Sequence, residues 1–209
     1  MKKELRWFVL VLVVFLSMGT TLGIWMSQNS SLQKERDFWS HATVRQLVAA
    51  EGRSPASLGR GNAQADVEWA LYHGAKVLSE TEKVVEGTGD SVIRTSLVEV
   101  PHFRYSVLRV VEQITKGGEG IERSVQRKQM VGDHLVVRLK KDSDLDKLKN
   151  WSKKSGYPVK KVLPQSGLVL VGFEGKVSGA FETALGQLLK QGFVDEVDPD
   201  WISLEGKGS

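Results

Sequence analysis

The sequence predicts an α+β protein in which an N-terminal transmembrane helix and a β-rich segment precede a C-terminal β-α-β-β-α-β domain of ferredoxin-like order. Three observations predict it. An almost unbroken apolar run extends from Trp7 to Met26. β-branched residues dominate from Ser91 onward. After Gly132 the apolar period switches between strand-like and helical values in a regular order. The 209 residues divide into a cytoplasmic tip and anchor over 1–29 and a helix with linker over 30–64. An α/β region ending in a hairpin follows over 65–131, then the C-terminal domain over 132–209.

Composition bounds the chemistry. With 41% hydrophobic and 26% charged residues, most of the chain can bury a core. The formal charge is +4, from 29 basic against 25 acidic residues. That lacks the concentrated basic excess of a phosphate-neutralising protein, so no nucleic-acid partner is expected. The absence of cysteine removes disulfides, thiolate nucleophiles, Fe–S clusters and Cys-based zinc sites together. His41, His73, His102 and His134 stand far apart and form no H-x3-H or HExxH spacing. A metal site would have to be assembled by the fold, and neither metal nor cofactor is expected.

Twenty helical residues from Trp7 to Met26 rise about 30 Å, the thickness of a bilayer's hydrocarbon core. Lys2, Lys3 and Arg6 precede the run against Glu4, whereas Lys34 and Arg36 after it are balanced by Glu35 and Asp37. The asymmetry places the N-terminus in the cytoplasm and the rest outside, periplasmic or extracellular. Trp7 and Trp25 stand where interfacial aromatics belong. The alternative is secretion after signal-peptide cleavage. A retained anchor is favoured, because no A-x-A site is present and Ile24, Trp25 and Met26 prolong the run.

A helix of moderate amphipathicity is expected from about Ser31 to Glu51, followed by the Gly/Pro-bearing linker 52–64. Ala65 to Leu78 reads either as a short helix or as a strand around Trp69 to Tyr72. Strands are expected over Val92–Val100, Phe103–Ile114 and Ile121–Val131, the last two joined by the turn at Gly117-Gly118-Glu119-Gly120. Glu80, Glu82 and Glu86 read as solvated charges. No motif in this middle section translates into chemistry.

His134 to Lys140 alternates as a strand, with Leu135, Val137 and Leu139 on one face. Asp142-Ser143-Asp144 opens a helix carrying Leu145, Leu148 and Trp151, closed by Lys153, Lys154 and Gly156. Tyr157–Pro164 and Gly167–Phe173 are the next strands. Ser178 caps a second helix with Phe181, Leu185 and Leu188 inward, and Phe193–Ile202 closes the order, with Pro199 requiring an edge. Both helices of such a unit cover one sheet face. The other is expected to be open and apolar, carrying Val136, Val162, Val169 and Val171. Either a partner covers that patch, or the strands from Phe103 to Val131 fill it internally.

The stretches HLVVRLK, LKNWSKKSGYPVKKVLPQSGLVLVGF and ALGQLLKQGFVDEVDPDWI resemble the N-terminal prodomain of subtilisin-like serine proteases, including the fervidolysin type. The resemblance covers 132–202, about a third of the chain, and its most specific part is the VDEVDPDWI ending. It implies a propeptide acting as intramolecular chaperone and protease inhibitor. It also implies that the open sheet face docks on two surface helices of the protease. Acidic side chains at the end of the last strand would cap those helices, which carries over to Asp198 and Asp200. Ser203, Leu204, Glu205 and Gly206 would lie along the substrate cleft.

Charge distribution agrees with a polarised surface. Arg138–Lys161 holds nine basic residues and three Asp, net +6, while Gly192–Glu205 holds five acids and no base. No Asp-Thr-Gly, HGTH or GTS-x-A motif occurs, so no catalytic triad and no enzymatic activity are expected. The leading expectation is a membrane-anchored, non-catalytic module that binds a subtilisin-like protease in trans. Two alternatives stay open: the pro-region of a longer protease, and an envelope structural adaptor with no protease partner.

Overall fold

The computed structural model describes residues 33–34, 37–50, 63–85, 90–101, 103–164, 166–175 and 177–202. The apolar run from Trp7 to Met26, the linker around 52–62 and the tail Ser203–Gly206 lie outside the described residues. No helix among the described residues is long and apolar enough to cross a membrane.

The elements in chain order are α1 (Val44–Ala49), α2 (Ala63–Tyr72), β1 (Lys76–Val84), β2 (Ser91–Glu99), β3 (Val107–Lys116) and β4 (Glu122–Leu139). They continue with α3 (Leu145–Ser155), β5 (Val159–Leu163), β6 (Leu168–Gly172), α4 (Ala180–Leu189) and β7 (Val194–Trp201). All seven strands join one curled antiparallel sheet in the order β1-β2-β3-β4-β6-β5, with β7 paired to β4. This overturns the predicted ferredoxin-like domain behind a separate β-rich segment. The physical reason is β4. It runs unbroken for 18 residues through the position where the C-terminal unit was expected to begin. Met130 pairs with both Arg109 and Trp201, and Leu135 with both Val171 and Pro199. β7 therefore lies along one side of β4, while β3 and β6 follow each other end to end along the other. Two sets of strands share one spine, so neither forms a closed unit of its own.

Two helical layers cover opposite faces of this sheet. Val98, Leu108 and Val110 pack with Trp39, Val44, Leu47, Leu71 and Tyr72 under the N-terminal helices. Arg109, which alternates with Leu108 and Val110, points the other way. It forms an ion pair with Glu182, and its guanidinium sits 4.6 Å from the Phe181 ring on α4. On that second face Leu135, Val137, Val169 and Val171 pack with Leu148, Ala184 and Leu188. Met130 and Leu135 both face α4 although five residues apart. Alternation along β4 is therefore broken between them, where five steps of β4 face two steps of β7.

Local sequence accounts for the ends of the elements. The expected helix 31–51 is interrupted, because Thr43 adopts extended backbone and caps α1 in a reciprocal capping box with Gln46. α2 resolves the open choice over 65–78 as helix, followed by a strand, β1, that was not expected. α3 ends on Gly156 at φ 80°, a left-handed cap that other residues adopt only with strain. Gly179, not Ser178, holds the N-cap position of α4. Pro199 fits its place, since among the described strands β7 pairs only with β4.

Beneath the N-terminal helices the strands carry charge. Glu82 stands opposite Arg94, Arg94 opposite Glu112, and Glu112 opposite Arg127, a row of alternating sign across β1 to β4. Arg94 and Glu112 are fully buried. Arg94 donates to Glu82 and in bidentate fashion to Glu122 at 2.7 and 2.8 Å. Arg127 donates to Glu112 at 2.9 and 3.0 Å, to Glu68 on α2 and to the Ala42 carbonyl. Glu112 also accepts the Val44 N–H that opens α1. Hydrogen bonds from Arg94 hold the Glu82 and Glu122 carboxyls below their ordinary value. Glu112→Ala removes the acceptor that Arg127 and the Val44 N–H share. It is expected to lower stability by about 3–5 kcal/mol in urea unfolding, whereas Glu112→Leu combined with Arg127→Met should cost less than either single change.

Candidate functional site

The half-face of β4, β6 and β7 that no described helix covers, together with the polar corner at its end, holds three of the residues singled out by sequence, Val136, Asp198 and Asp200. The ladder fixes their neighbours. Asp198 stands opposite Val136, which stands opposite Leu170; Glu196 stands opposite Arg138, which stands opposite Leu168 and so beside Leu163. Val136, Leu163, Leu168 and Leu170 are half-buried and belong to neither core cluster. They form an apolar strip bordered by Asp198 and Glu196, with Arg138 in an ion pair to Glu196 at 3.4 Å.

The expected open face is thus corrected in part. Val136 lies on it. Val169 and Val171, each 1% exposed, lie on the opposite face, packed against α3 and α4. Val162 is half-buried on that same covered face, opposite Val169. The register decides: Leu135 pairs with Val171 and Val137 with Val169, so these four share the helix-covered side. Leu168 and Leu170 occupy the places assigned to the valines.

Asp198 and Asp200 separate in role. Asp198 is exposed on the edge strand. His134 Nε2 lies 2.9 Å from an Asp200 carboxylate oxygen and Nδ1 lies 2.8 Å from an Asp133 oxygen, each at hydrogen-bond distance. His134 is 3% exposed, and the Tyr105 ring lies 5.7 Å from its own. Asp133 also holds the Lys160 ammonium at 2.7 Å. The four groups form a chain, Lys160–Asp133–His134–Asp200, tying β5 to β4 and β4 to the end of β7.

Glycine makes room for this chain. A Cβ on Gly172 would stand 2.7 Å from Lys160 Cε, so a side chain there would push aside the lysine stem that crosses β6 to Asp133. A Cβ on Gly175 would meet the Gly132 carbonyl oxygen at 2.5 Å. Burial works to raise the Asp133 carboxyl, but hydrogen bonds from Lys160 and His134 hold it below the ordinary value.

With both ring nitrogens engaged, His134 acts as a structural tie and has no free nitrogen for a substrate proton. Among the described residues no group of three or more His, Cys, Asp or Glu is arranged to hold a metal. His73 stacks on Trp69 at 4.5 Å, His41 lines a surface cleft near the β3–β4 turn, and His102 lies outside the described residues. Sequence reasoning missed the roles of His134, Asp133 and Lys160. The available signal was a histidine in an alternating strand with an aspartate beside it. The chain matches no protein-family model, no curated protein and no solved structure.

The depressed Asp133 carboxyl has a defined consequence. Its contribution is complete above the ordinary carboxylate value and is lost as pH falls through the lower folded-state value. The stability difference between the native chain and Asp133→Asn should be full near neutrality and shrink below about pH 4. Urea midpoints measured across pH check it.

Proposed function

We propose that the chain is a non-catalytic, membrane-anchored module that binds a subtilisin-like serine protease in trans, as inhibitor or folding chaperone. The observation that carries this reading is the half-buried strip of Val136, Leu163, Leu168 and Leu170 on a sheet face that no helix among the described residues covers, bordered by Asp198 and Glu196. An apolar strip of this kind supplies contact area, and an acidic edge strand beside it can meet the N–H groups of a partner helix. Support also comes from the likeness of 132–202 to subtilase prodomains. Asp198 is the helix-capping acid in this reading. Asp200 is committed to His134 and acts by fixing the end of β7, from which the tail Ser203–Gly206 departs.

The test uses the full chain in detergent micelles with subtilisin-like proteases of the same organism, following inhibition and direct binding. Asp198→Asn should weaken binding about two- to fivefold, matching the roughly 0.3–1 kcal/mol of an exposed helix-terminus contact. Leu170→Arg should abolish docking while leaving the unfolding midpoint nearly unchanged. Removing 203–209 should abolish competition at the active site but keep docking. Absence of affinity for every such protease sinks the proposal in favour of an envelope adaptor with another partner.

A further inference from the structure

Seven large apolar side chains are exposed among the described residues, and four of them, Phe38, Val84, Ile121 and Val125, belong to one end of the sheet. Ile121 and Val125, 53% and 60% exposed, bracket the start of β4. Val84 ends β1 in the row that crosses Val92 and Ile114 to Ser124, next to Val125. Phe38 and Ile121 line a cleft of about 180 Å³ together with the cations Lys34 and Arg123. The acids of that cleft are Asp37 and Glu122, and Glu122 is already held by Arg94.

We propose that this end of the sheet is a membrane-facing surface, resting in the interface of the bilayer that holds the N-terminal apolar run. The proposal rests on the reading of Trp7–Met26 as a retained anchor and is independent of any protease partner. Chain length argues for it first. Seven residue steps separate Met26 from Gln33, the first described residue, and fully extended they reach about 25 Å. Helix 37–41, which carries Phe38, follows almost at once. The end that bears the exposed apolar group is therefore the end the anchor keeps beside the membrane.

Chemistry argues for it second. An aromatic and branched aliphatic side chains beside Lys and Arg suit the interface, where apolar groups enter the acyl boundary and cations reach phosphate. Exposed apolar residues scattered singly need no explanation, but four at one end do. Geometry argues third. Fourteen residue steps of β4 separate Glu122 from Val136, at most about 45 Å at strand spacing and less across the bulge after Met130, so the half-face around Val136 lies toward the other end of the strand from the bilayer.

The absence of cysteine makes the test direct. Ile121→Cys, Val125→Cys and, as control, Leu189→Cys on exposed α4 are each labelled with an environment-sensitive fluorophore in the full chain. The labelled chains are reconstituted into phosphatidylcholine–phosphatidylglycerol vesicles carrying a shallow lipid-attached quencher. Labels at 121 and 125 should be quenched several-fold more than the label at 189, and Lys34→Glu with Arg123→Glu should reduce the difference. Equal quenching at all three sites, in chain that survives an alkaline wash of the vesicles, overturns the membrane-facing surface while leaving the anchor intact. A blue-shifted but unquenched label at 121 overturns it in favour of a protein contact. Chain that washes off overturns both the anchor and the surface.

Discussion

Carboxylates and guanidinium groups taken out of water must find one another, and in this protein they do so across four strands at once. Glu82, Arg94, Glu112 and Arg127 occupy consecutive cross-strand positions, and ion pairs from Arg94 to Glu82 and from Arg127 to Glu112 tie the registers of β1 with β2 and of β3 with β4 to charge pairing. A slip of one residue in any of these strands would turn a buried charge away from its partner and toward the solvent face. The row also fastens the helical layer. Glu112 receives the first N–H of α1, and Arg127 reaches Glu68 on α2 and the carbonyl of Ala42. A face built of Val and Leu alone would accept α1 and α2 in several positions. The ions leave one.

Beyond this row the second organising element is the point where β4 changes the face it offers to each layer. Gly132 and Asp133 sit there, and the polar chain from Lys160 to Asp200 is assembled around them. Local pairing alone would let β7 drift at this place, because the bulge interrupts its ladder with β4. The bond from His134 to Asp200 supplies the missing restraint. Polar groups thus do for the C-terminal layer, at one corner, what the ion row does for the N-terminal layer along a whole line.

The strands and helices after Gly132 were legible because their apolar periods change cleanly: Leu135 and Val137 alternate, then Leu145 and Leu148 recur at helical spacing. The choice of face on β6 was not legible. GLVLVGF is apolar at nearly every position, so period two gives two equivalent faces, and only pairing with Leu135 and Val137 selects one. β1 was invisible for the opposite reason. KVLSETEKV has too few apolar residues to read as a strand, and its place depends on Arg94 and Arg45 meeting Glu82 and Glu80. The continuity of β4 was also hidden, because Gly132-Asp133 is read as a break in sequence and acts as a face change inside one strand. Of the candidate site, the face that Val136 occupies and the exposure of Asp198 on the last strand were legible from pattern. The commitment of Asp200 to a histidine 66 residues away was not.

The face change in β4 also bears on how such a chain can vary. Loops absorb added or lost residues, and the turn around Gly118 has that freedom. The stretch from Ser124 to Val137 does not. It serves two cores on opposite sides, and a residue gained or lost within it would rotate one entire layer to the wrong side of the sheet. Related sequences that keep this architecture are therefore free in side-chain identity along β4 but bound in its length, so that spacing, more than any residue, is the trait by which kinship would be recognised.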